Sequence, residues 1–283
     1  MIRSILVPMD GSKAANSALE NALDLAQIAG AQLRGLFVED ESELFPLAFP
    51  PPAPDMGMGA VETSVLPPAL SQYVIEEWER TAEQLRTCFE QNCQLKHVKG
   101  DFGVLRGIAR GLIVEQAKTV DLVVMGRRGK RTSHPAKGPG SHTEAVLMTT
   151  TRPVLVVPAG TSRTARILMA YDGSKPAQRA IECGAAFAKL EVSKVDVLTV
   201  ANTCEAYGPQ GEARNFLAAY SLDVSFVVKP GHPALVISEY AREIDAGLIV
   251  MGAYGHSQLT ELIFRSTTRD VLENAQCPVL LAT

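Results

Sequence analysis

Short apolar runs alternate along the chain with stretches in which apolar residues recur every three or four positions. The first kind of pattern is typical of buried strands and the second of helices that pack against a sheet. In the first half, strands are predicted at 5–7, 33–38, near 94–98, 122–125 and 154–157, and helices at 13–29, 70–92, 104–118 and from about 141. Strands that are apolar throughout and separated by helices predict a parallel α/β sheet covered on both faces.

The second half of the chain repeats the first. Residues 5–20 align with 167–182 at a constant offset of 162, and nine of the sixteen pairs are identical, including Asp-Gly-Ser-Lys. Residues 121–129 align with 247–255 at an offset of 126. Because the matches keep their order, the repeat predicts two tandem domains, 1–160 and 161–283, each with a five-stranded parallel sheet.

A proline-rich insertion interrupts the first copy. Residues 46–68 hold seven of the chain's 17 prolines and show little periodicity. Such a composition is typical of a surface loop or a partly disordered excursion. Because the insertion follows the second strand, it is expected to act as a flexible flap over a ligand site or as a partner surface, and its deletion should leave the fold intact.

Overall composition excludes several classes of function. The net charge is -4 and the hydrophobic fraction is 46%, so no overall field attracts nucleic acid or anionic lipid. No apolar run approaches the roughly 20 residues of a membrane span, and the N-terminus is not typical of a signal peptide, so we expect a cytoplasmic protein without a membrane partner. The five cysteines form no C-x-x-C pair, which supports neither a disulfide framework nor a structural metal site.

The same tripeptide follows the first strand in both copies, as Asp10-Gly11-Ser12 and as Asp172-Gly173-Ser174. Ligands of open α/β sheets bind beyond the carboxyl ends of the strands, where these residues lie. The aspartate could accept a hydrogen bond from a sugar or a base. It could equally serve only the turn, with the serine capping the next helix.

Glycine-rich stretches follow the fourth strand. They are Gly126-Arg127-Arg128-Gly129 with Gly140-Ser141 in copy one, and Gly252-Ala253-Tyr254-Gly255 with Arg265-Ser266 in copy two. Glycines let backbone N–H groups approach phosphate oxygens, and a serine at a helix start adds a hydroxyl. A plain strand-to-helix turn is the alternative interpretation.

Together these motifs resemble the universal stress protein family, as a tandem two-domain member. The resemblance implies two flavodoxin-like or Rossmann-like (adenine nucleotide alpha hydrolase-like) units that bind ATP, with ADP or AMP as alternatives, and Mg²⁺ only if the nucleotide carries it. It implies a favoured first site of Asp10, Val38, Met125, Gly126, Arg127, Gly129, Gly140 and Ser141. The corresponding second set is Asp172, Val200, Met251, Gly252, Gly255, Arg265 and Ser266.

Both copies depart from the family pattern of G-x-x-G, nine residues, then G-[ST]. Copy one has ten residues at 130–139, and copy two has Arg265 in place of the third glycine. That arginine could block close backbone approach or itself meet phosphate. Copy one is favoured because it keeps its glycines and adds a basic cluster, which could also be only a solvated loop: Arg127, Arg128, Lys130, Arg131 and Lys137.

The expected function is that of a nucleotide-binding stress-response regulator that is non-catalytic or very slow. His134, His142, His232 and His256 have no nucleophile with a defined third partner and are interpreted as surface or capping residues. A Walker lysine motif is absent from the sequence, which argues against an efficient ATPase. The alternatives are a nucleotide-hydrolysing enzyme on the same fold and a nucleotide-free interaction scaffold.

The fifth strand of each copy is an apolar edge that would favour aggregation if left open. Residues 154–157 and 279–281 are therefore predicted to pair with each other. A homodimer of tandem chains is expected as a further level of association.

Overall fold

A computed structural model describes residues 2–43, 68–130, 138–161, 164–191, 193–202, 207–253 and 261–282. In the first half, the elements are β1 (Ser4–Pro8), α1 (Lys13–Ala29), β2 (Gln32–Asp40), α2 (Pro68–Leu95), β3 (Gly100–Gly107), α3 (Ala109–Ala117), β4 (Leu122–Gly126), α4 (Ser141–Thr149) and β5 (Val154–Val157). In the second half, they are β6 (Arg166–Ala170), α5 (Lys175–Glu191), β7 (Lys194–Val200), α6 (Tyr207–Leu217), β8 (Val224–Lys229), α7 (Pro233–Glu243), β9 (Leu248–Gly252), α8 (Glu261–Asn274) and β10 (Val279–Ala282).

The two halves share one ten-stranded sheet. Its order is β3-β2-β1-β4-β5-β10-β9-β6-β7-β8. Within each half all neighbouring strands are parallel, and each half has the 3-2-1-4-5 order that matches the start of the Rossmann arrangement. In that order the chain changes direction across the sheet between β1 and β4, and again between β6 and β9.

The halves join through β5 and β10. These strands pair antiparallel, with Leu155 opposite Leu280 and Val156 opposite Val279. Leu155 and Leu280 are fully buried. The predicted pairing of the two edge strands is therefore confirmed, and it removes both apolar edges from solvent.

The hydrophobic core lies in two layers, one on each face of the sheet. Strand β4 divides its side chains between them, with Leu122 and Val124 in the layer under α1 and α2. Val123 and Met125 belong to the layer under α3 and α4. This alternation is the period of two that a strand imposes. Both layers continue into the second half, so the core crosses the β5–β10 junction.

The strand predicted near 94–98 is wrong, and so is the start of the helix predicted at 104–118. Helix α2 continues to Leu95, β3 spans Gly100–Gly107, and α3 begins only at Ala109. The reason is the ring of Phe89, which is fully buried. A Cβ at Gly35 would lie 2.8 Å from that ring, and a Cβ at Gly100 would lie 2.9 Å from it. The glycines are therefore required by packing, whereas strand propensity alone disfavours glycine.

The long helix α2 follows the insertion. Of the predicted flap at 46–68, all but the last residue lies outside the described residues. Although α2 has 28 residues, neither it nor any other helix within the described ranges is long and apolar enough to span a membrane.

Asp121 ties the start of β4 to the start of β1. Its Oδ2 accepts hydrogen bonds from the backbone N–H groups of Arg3 at 2.8 Å and Ser4 at 3.1 Å, and from the Ser4 hydroxyl at 3.1 Å. Partial burial alone would raise the pKa of this carboxyl group, but the three hydrogen bonds outweigh it and lower the pKa below the ordinary 3.8. The ionised form is therefore favoured by folding.

The Asp121→Asn variant should lose about 1 kcal/mol of unfolding free energy at neutral pH, because a neutral amide binds these donors less strongly. A lowered pKa contributes stability above the unfolded-state value and loses it as pH falls through the folded-state value. The difference between variant and wild type should thus begin to decrease near pH 3.8 and disappear once the pH lies below the lower, folded-state pKa. Urea unfolding at several pH values measures this, and a difference that persists in acid would contradict the role of the charge.

Candidate functional site

A cavity opens at the carboxyl ends of β1, β2 and β4, where the strand order changes direction. Its volume is about 360 Å³, within the range of small-molecule sites. Its walls come from the strand ends, from the starts of α1, α3 and α4, and from α2. Of the residues predicted for the first site, the cavity wall includes Asp10, Val38, Met125, Gly126, Gly129, Gly140 and Ser141.

Asp10 connects the turn after β1 to the loop after β4. Its Oδ1 accepts a hydrogen bond from the backbone N–H of Ser12 at 2.9 Å, and its Oδ2 accepts one from the backbone N–H of Lys130 at 2.7 Å. A Cβ at Gly129 would lie 2.6 Å from Asp10 Oδ2. Gly129 is therefore the residue that lets the glycine loop close onto the carboxylate, which also faces the cavity.

Gly126 and its counterpart Gly252 have a packing role. A Cβ at Gly126 would lie 2.7 Å from the carbonyl carbon of Ala14, in the first turn of α1. A Cβ at Gly252 would lie 2.7 Å from the carbonyl carbon of Pro176 in α5. The family resemblance gave both glycines as nucleotide-site residues. In the structure they allow the first helix of each half to cross the end of its fourth strand.

Helix α4 begins at the cavity. Its N-cap, Gly140, donates its N–H to the carbonyl of Arg127 at 2.8 Å and supplies no side-chain cap. Ser141 follows at the first helical position, and Thr143 donates its hydroxyl to the carbonyl of Gly126 at 3.0 Å. The start of α4 is thus anchored to the glycine loop with its positive dipole end beside the cavity, an arrangement suited to an anion.

Arg127 does not point into the cavity, although it was predicted as a site residue. Its Nη1 donates to three carbonyl oxygens at the end of α8: Leu272 at 2.9 Å, Glu273 at 3.1 Å and Ala275 at 3.0 Å. A cation at a helix C-terminus meets the negative end of the dipole and satisfies carbonyls that the helix leaves open. Arg127 therefore joins the glycine loop of the first half to a helix of the second.

Truncating this contact should affect stability more than ligand binding. Arg127→Ala should lower the unfolding free energy by about 1.5–3 kcal/mol, because it leaves the α8 carbonyls without a charged donor. Its ATP affinity should stay within about threefold of wild type. Arg128→Ala, on the cavity wall, is the matched comparison and should show the reverse pattern in thermal unfolding and calorimetry. An Arg127 variant that folds normally but does not bind ATP would restore the prediction that Arg127 belongs to the nucleotide site.

Trp78 on α2 is a wall residue that the sequence analysis missed. It is buried, and the guanidinium carbon of Arg106 lies 5.7 Å from its ring centroid. Arg106 in turn pairs with the buried carboxylate of Glu39 at 2.6 Å. Trp78 is the chain's single tryptophan, and this could have marked it as a site residue. Its spacing along the helix, however, is equally typical of an ordinary core position.

Asp40, at the end of β2, is a second missed residue. Its Oδ1 accepts hydrogen bonds from the backbone N–H groups of Ser42 at 3.1 Å and Ala109 at 3.2 Å. Its side chain is 5% exposed, and His142 Nε2 lies 3.2 Å from Oδ2. His142, interpreted from sequence as a surface or capping residue, is half-exposed on the cavity wall. The sequence could have indicated Asp40, because it is an acidic residue only two positions after the predicted site residue Val38.

Comparison with known proteins agrees with this architecture. The model of the universal stress protein family matches residues 1–158 and 164–283. The chain belongs to the universal stress protein family. Its two matched segments correspond to the two halves of the sheet, so two such domains lie in tandem.

Family relatives extend over the whole chain. Universal stress protein Slr1230 of Synechocystis is 26% identical over 305 residues, covering 99% of each sequence. The crystal structure of a universal stress protein from Archaeoglobus fulgidus has a TM-score of 0.78 at 22% identity and covers 99% of this chain and 98% of that one, which supports the fold. A solved universal stress protein in complex with cAMP covers 98% of its own chain and 43% of this one, at 24% identity and a TM-score of 0.39.

The second universal stress protein domain has a different arrangement at the equivalent strand ends. Asp172 Oδ1 accepts the N–H of Ser174 at 2.9 Å, as in the first domain. Tyr171, in the position of Met9, donates its hydroxyl to Glu212 of α6 at 3.2 Å. A Cβ at Gly173 would lie 3.4 Å from Pro209. Helix α6 therefore packs close to this turn and brings a carboxylate to it.

The predicted anion site of the second domain is only partly described. Val200 ends β7, and Met251 and Gly252 are the last two residues of β9, but Gly255 and His256 lie outside the described residues. Helix α8 begins at Glu261, so the backbone of Arg265 and Ser266 lies inside the helix and not at its start. The first domain has Gly138-Pro139-Gly140 at this point, which stops a helix, whereas the second has Ile263-Phe264-Arg265, which does not.

Proposed function

We propose that the first domain binds an adenine nucleotide, ATP with ADP or AMP as alternatives, and that the protein is a non-catalytic or very slow stress-response regulator. The observation that carries this proposal is the cavity of about 360 Å³ where the strand order changes between β1 and β4. Open α/β sheets bind nucleotides at such points. Family membership supports the same conclusion.

One wall of the cavity is suited to a planar base. Ala109, Ile113 and Met125 are buried apolar residues that line it from the α3 side. A methionine side chain adapts its shape and makes favourable contacts with aromatic rings. Val38 lies at the end of β2 on the same cavity. These residues support placing the base near Val38 and Met125.

Another part of the cavity wall is suited to phosphate. Arg128 and Lys130 line it, in a protein whose net charge is -4. The Nε of Arg128 donates to the carbonyl of Gly138 at 2.8 Å, which holds this side chain beside the start of α4. Basic groups, glycine-loop amides and a helix N-terminus together support binding of phosphate groups.

The second domain is proposed as the weaker site. The aligned loop has Tyr254 where the first domain has Arg128 on the cavity wall. Anionic phosphates gain less there than beside Arg128 and Lys130. Mg²⁺ enters the proposal only as a companion of the nucleotide.

Mass spectrometry of small molecules released by heating the purified protein tests this proposal directly. Calorimetric titration with ATP, ADP and AMP, each with and without Mg²⁺, then ranks the ligands. A protein that binds none of them would be the interaction scaffold instead. Turnover of bound ATP at an ordinary enzymatic rate would identify a nucleotide-hydrolysing enzyme.

A cytoplasmic location and a homodimer of tandem chains form part of the same proposal. Because β5 and β10 pair within one chain, a dimer would need a surface other than these two edges. Sedimentation equilibrium of the full chain, with and without ATP, measures the mass, and fractionation of the source cells tests the location.

A further inference from the structure

Asp40 has one carboxylate oxygen that its surroundings leave without a hydrogen bond. Two backbone N–H groups, from Ser42 and Ala109, fix Oδ1. Oδ2 is buried and has no hydrogen-bond partner among the described residues. A buried acceptor without a donor is unfavourable and is uncommon in folded proteins. Because Asp40 lines the cavity, a bound ligand could supply the donor.

The neighbour of Oδ2 reaches it from across the cavity. Asp40 ends β2, whereas His142 lies in the first turn of α4, which follows β4. Strand β1 lies between β2 and β4, so the two strands are about 10 Å apart. His142 Nε2 comes within 3.2 Å of Oδ2, where a protonated imidazole forms an ion pair with it, but no hydrogen bond joins the two atoms. The pair thus spans the region that a ligand would enter.

We propose that Asp40 Oδ2 accepts a hydrogen bond from an N–H or O–H group on the nucleoside part of the ligand and so determines its specificity. This inference rests on the proposed nucleotide function of the first domain. The partner of Oδ2 is a neutral donor, because a carboxylate repels a phosphate oxygen. The donor is either the exocyclic amine of adenine or a ribose hydroxyl, which are chemically equivalent for this acceptor.

A built-in acceptor selects ligands strongly. A site whose buried polar group loses its partner discriminates far more than an apolar pocket that loses a methylene group. The second domain lacks this device, since the aligned positions of Asp40 and His142 hold Asn202 and Thr267. Asn202 is exposed. The buried acceptor therefore distinguishes the first domain from its duplicate.

Asp40→Asn is the sharpest substitution, because it changes one oxygen into an amide donor and keeps the size of the side chain. The remaining oxygen can still accept from Ser42 and Ala109. The full-length wild type and variant are titrated calorimetrically with ATP, ITP, 2′-deoxyATP and 3′-deoxyATP. ITP replaces the 6-amine by a carbonyl, and each deoxy analogue lacks one ribose hydroxyl.

The wild type should bind one of the three analogues at least about tenfold more weakly than ATP. Asp40→Asn should bind ATP about tenfold more weakly than the wild type does. Its affinity for the same analogue should equal that of the wild type, because the hydrogen bond is already absent. If the donor is the amine, the variant should in addition gain affinity for ITP. If the donor is a ribose hydroxyl, the analogue whose affinity the substitution leaves unchanged will be one of the two deoxy compounds.

The controls separate the possible causes of a negative result. Asn202→Asp, at the exposed equivalent position, should leave all four affinities within about twofold. His142→Thr should keep the discrimination among analogues, because the acceptor is intact. If His142→Thr abolishes the discrimination, the histidine is responsible and the inference fails.

Failure of the inference and failure of the proposed function give different results. A wild type that binds none of ATP, ADP and AMP removes the proposed function. A wild type that binds ATP but discriminates against none of the analogues overturns the role of Asp40, even if Asp40→Asn does not fold. Thermal unfolding without ligand shows whether Asp40→Asn is folded. If the folded variant loses the same affinity for ATP and for every analogue, the role of Asp40 is overturned as well.

Discussion

Gly126→Val should destabilise the protein by at least about 3 kcal/mol, because its Cβ has no space next to α1. The position that this atom would take lies 2.7 Å from the carbonyl carbon of Ala14 and 2.8 Å from the nitrogen of Ala15. Both are backbone atoms of a helix fully packed on the sheet, so neither can move without shifting α1. Thermal unfolding should show a decrease in midpoint of about 10 °C.

Gly111→Ala is the matched control. Gly111 lies in α3, and a Cβ there would have nothing within 4 Å. Alanine favours a helix by up to about 1 kcal/mol over glycine, so this variant should be slightly more stable than wild type. A Gly126→Val protein that unfolds at the wild-type temperature would show that the first helix is not held against the end of β4.

The largest effect on ligand binding should come from Gly129→Val. Its Cβ would lie 2.6 Å from Asp10 Oδ2, which is the end of a side chain that can swing away. The fold should therefore survive while the loop moves off the carboxylate, and ATP affinity should decrease at least about 100-fold. Asp10→Ala should lose about 1–3 kcal/mol, or about 5- to 150-fold in affinity, because a ligand donor would stay unpaired.

The equivalent changes in the second domain are the controls. Gly255→Val and Asp172→Ala should alter ATP affinity less, because Arg265 replaces the third glycine there. Calorimetric titration of all four variants with ATP decides between the domains. If the second-domain changes abolish binding and the first-domain changes do not, the assignment of the favoured site is reversed.

Local sequence signals were sufficient where the structure depends on neighbouring residues. Helix α1 occupies the predicted 13–29: Ser12 accepts a hydrogen bond from the N–H of Ala15, and Gly30 ends the helix with a φ of 66°. The same reasoning was wrong for β3, where glycines make room for Phe89. A propensity cannot contain that information, because the ring comes from another element.

The candidate site follows the same division. The strand-end positions Asp10, Val38, Met125 and Gly129 were predictable, since parallel strands bring their carboxyl ends to one edge of the sheet. The direction of Arg127 was not predictable, because its carbonyl partners lie 145 to 148 residues further along the chain. Asp40 was missed for a related reason: its burial depends on the start of α3, whose Ala109 donates to it.

The sequence alone therefore determined the duplication, the alternation of strands and helices, the family and the edge of the sheet at which the candidate site residues gather. These properties follow from periodicity and from short motifs, which depend only on residues close together in the sequence. Only the tertiary structure decided which polar groups face the cavity, which glycines serve packing and how the two halves touch. Those outcomes depend on atoms from distant segments competing for the same space, because close packing leaves each side chain few directions to take.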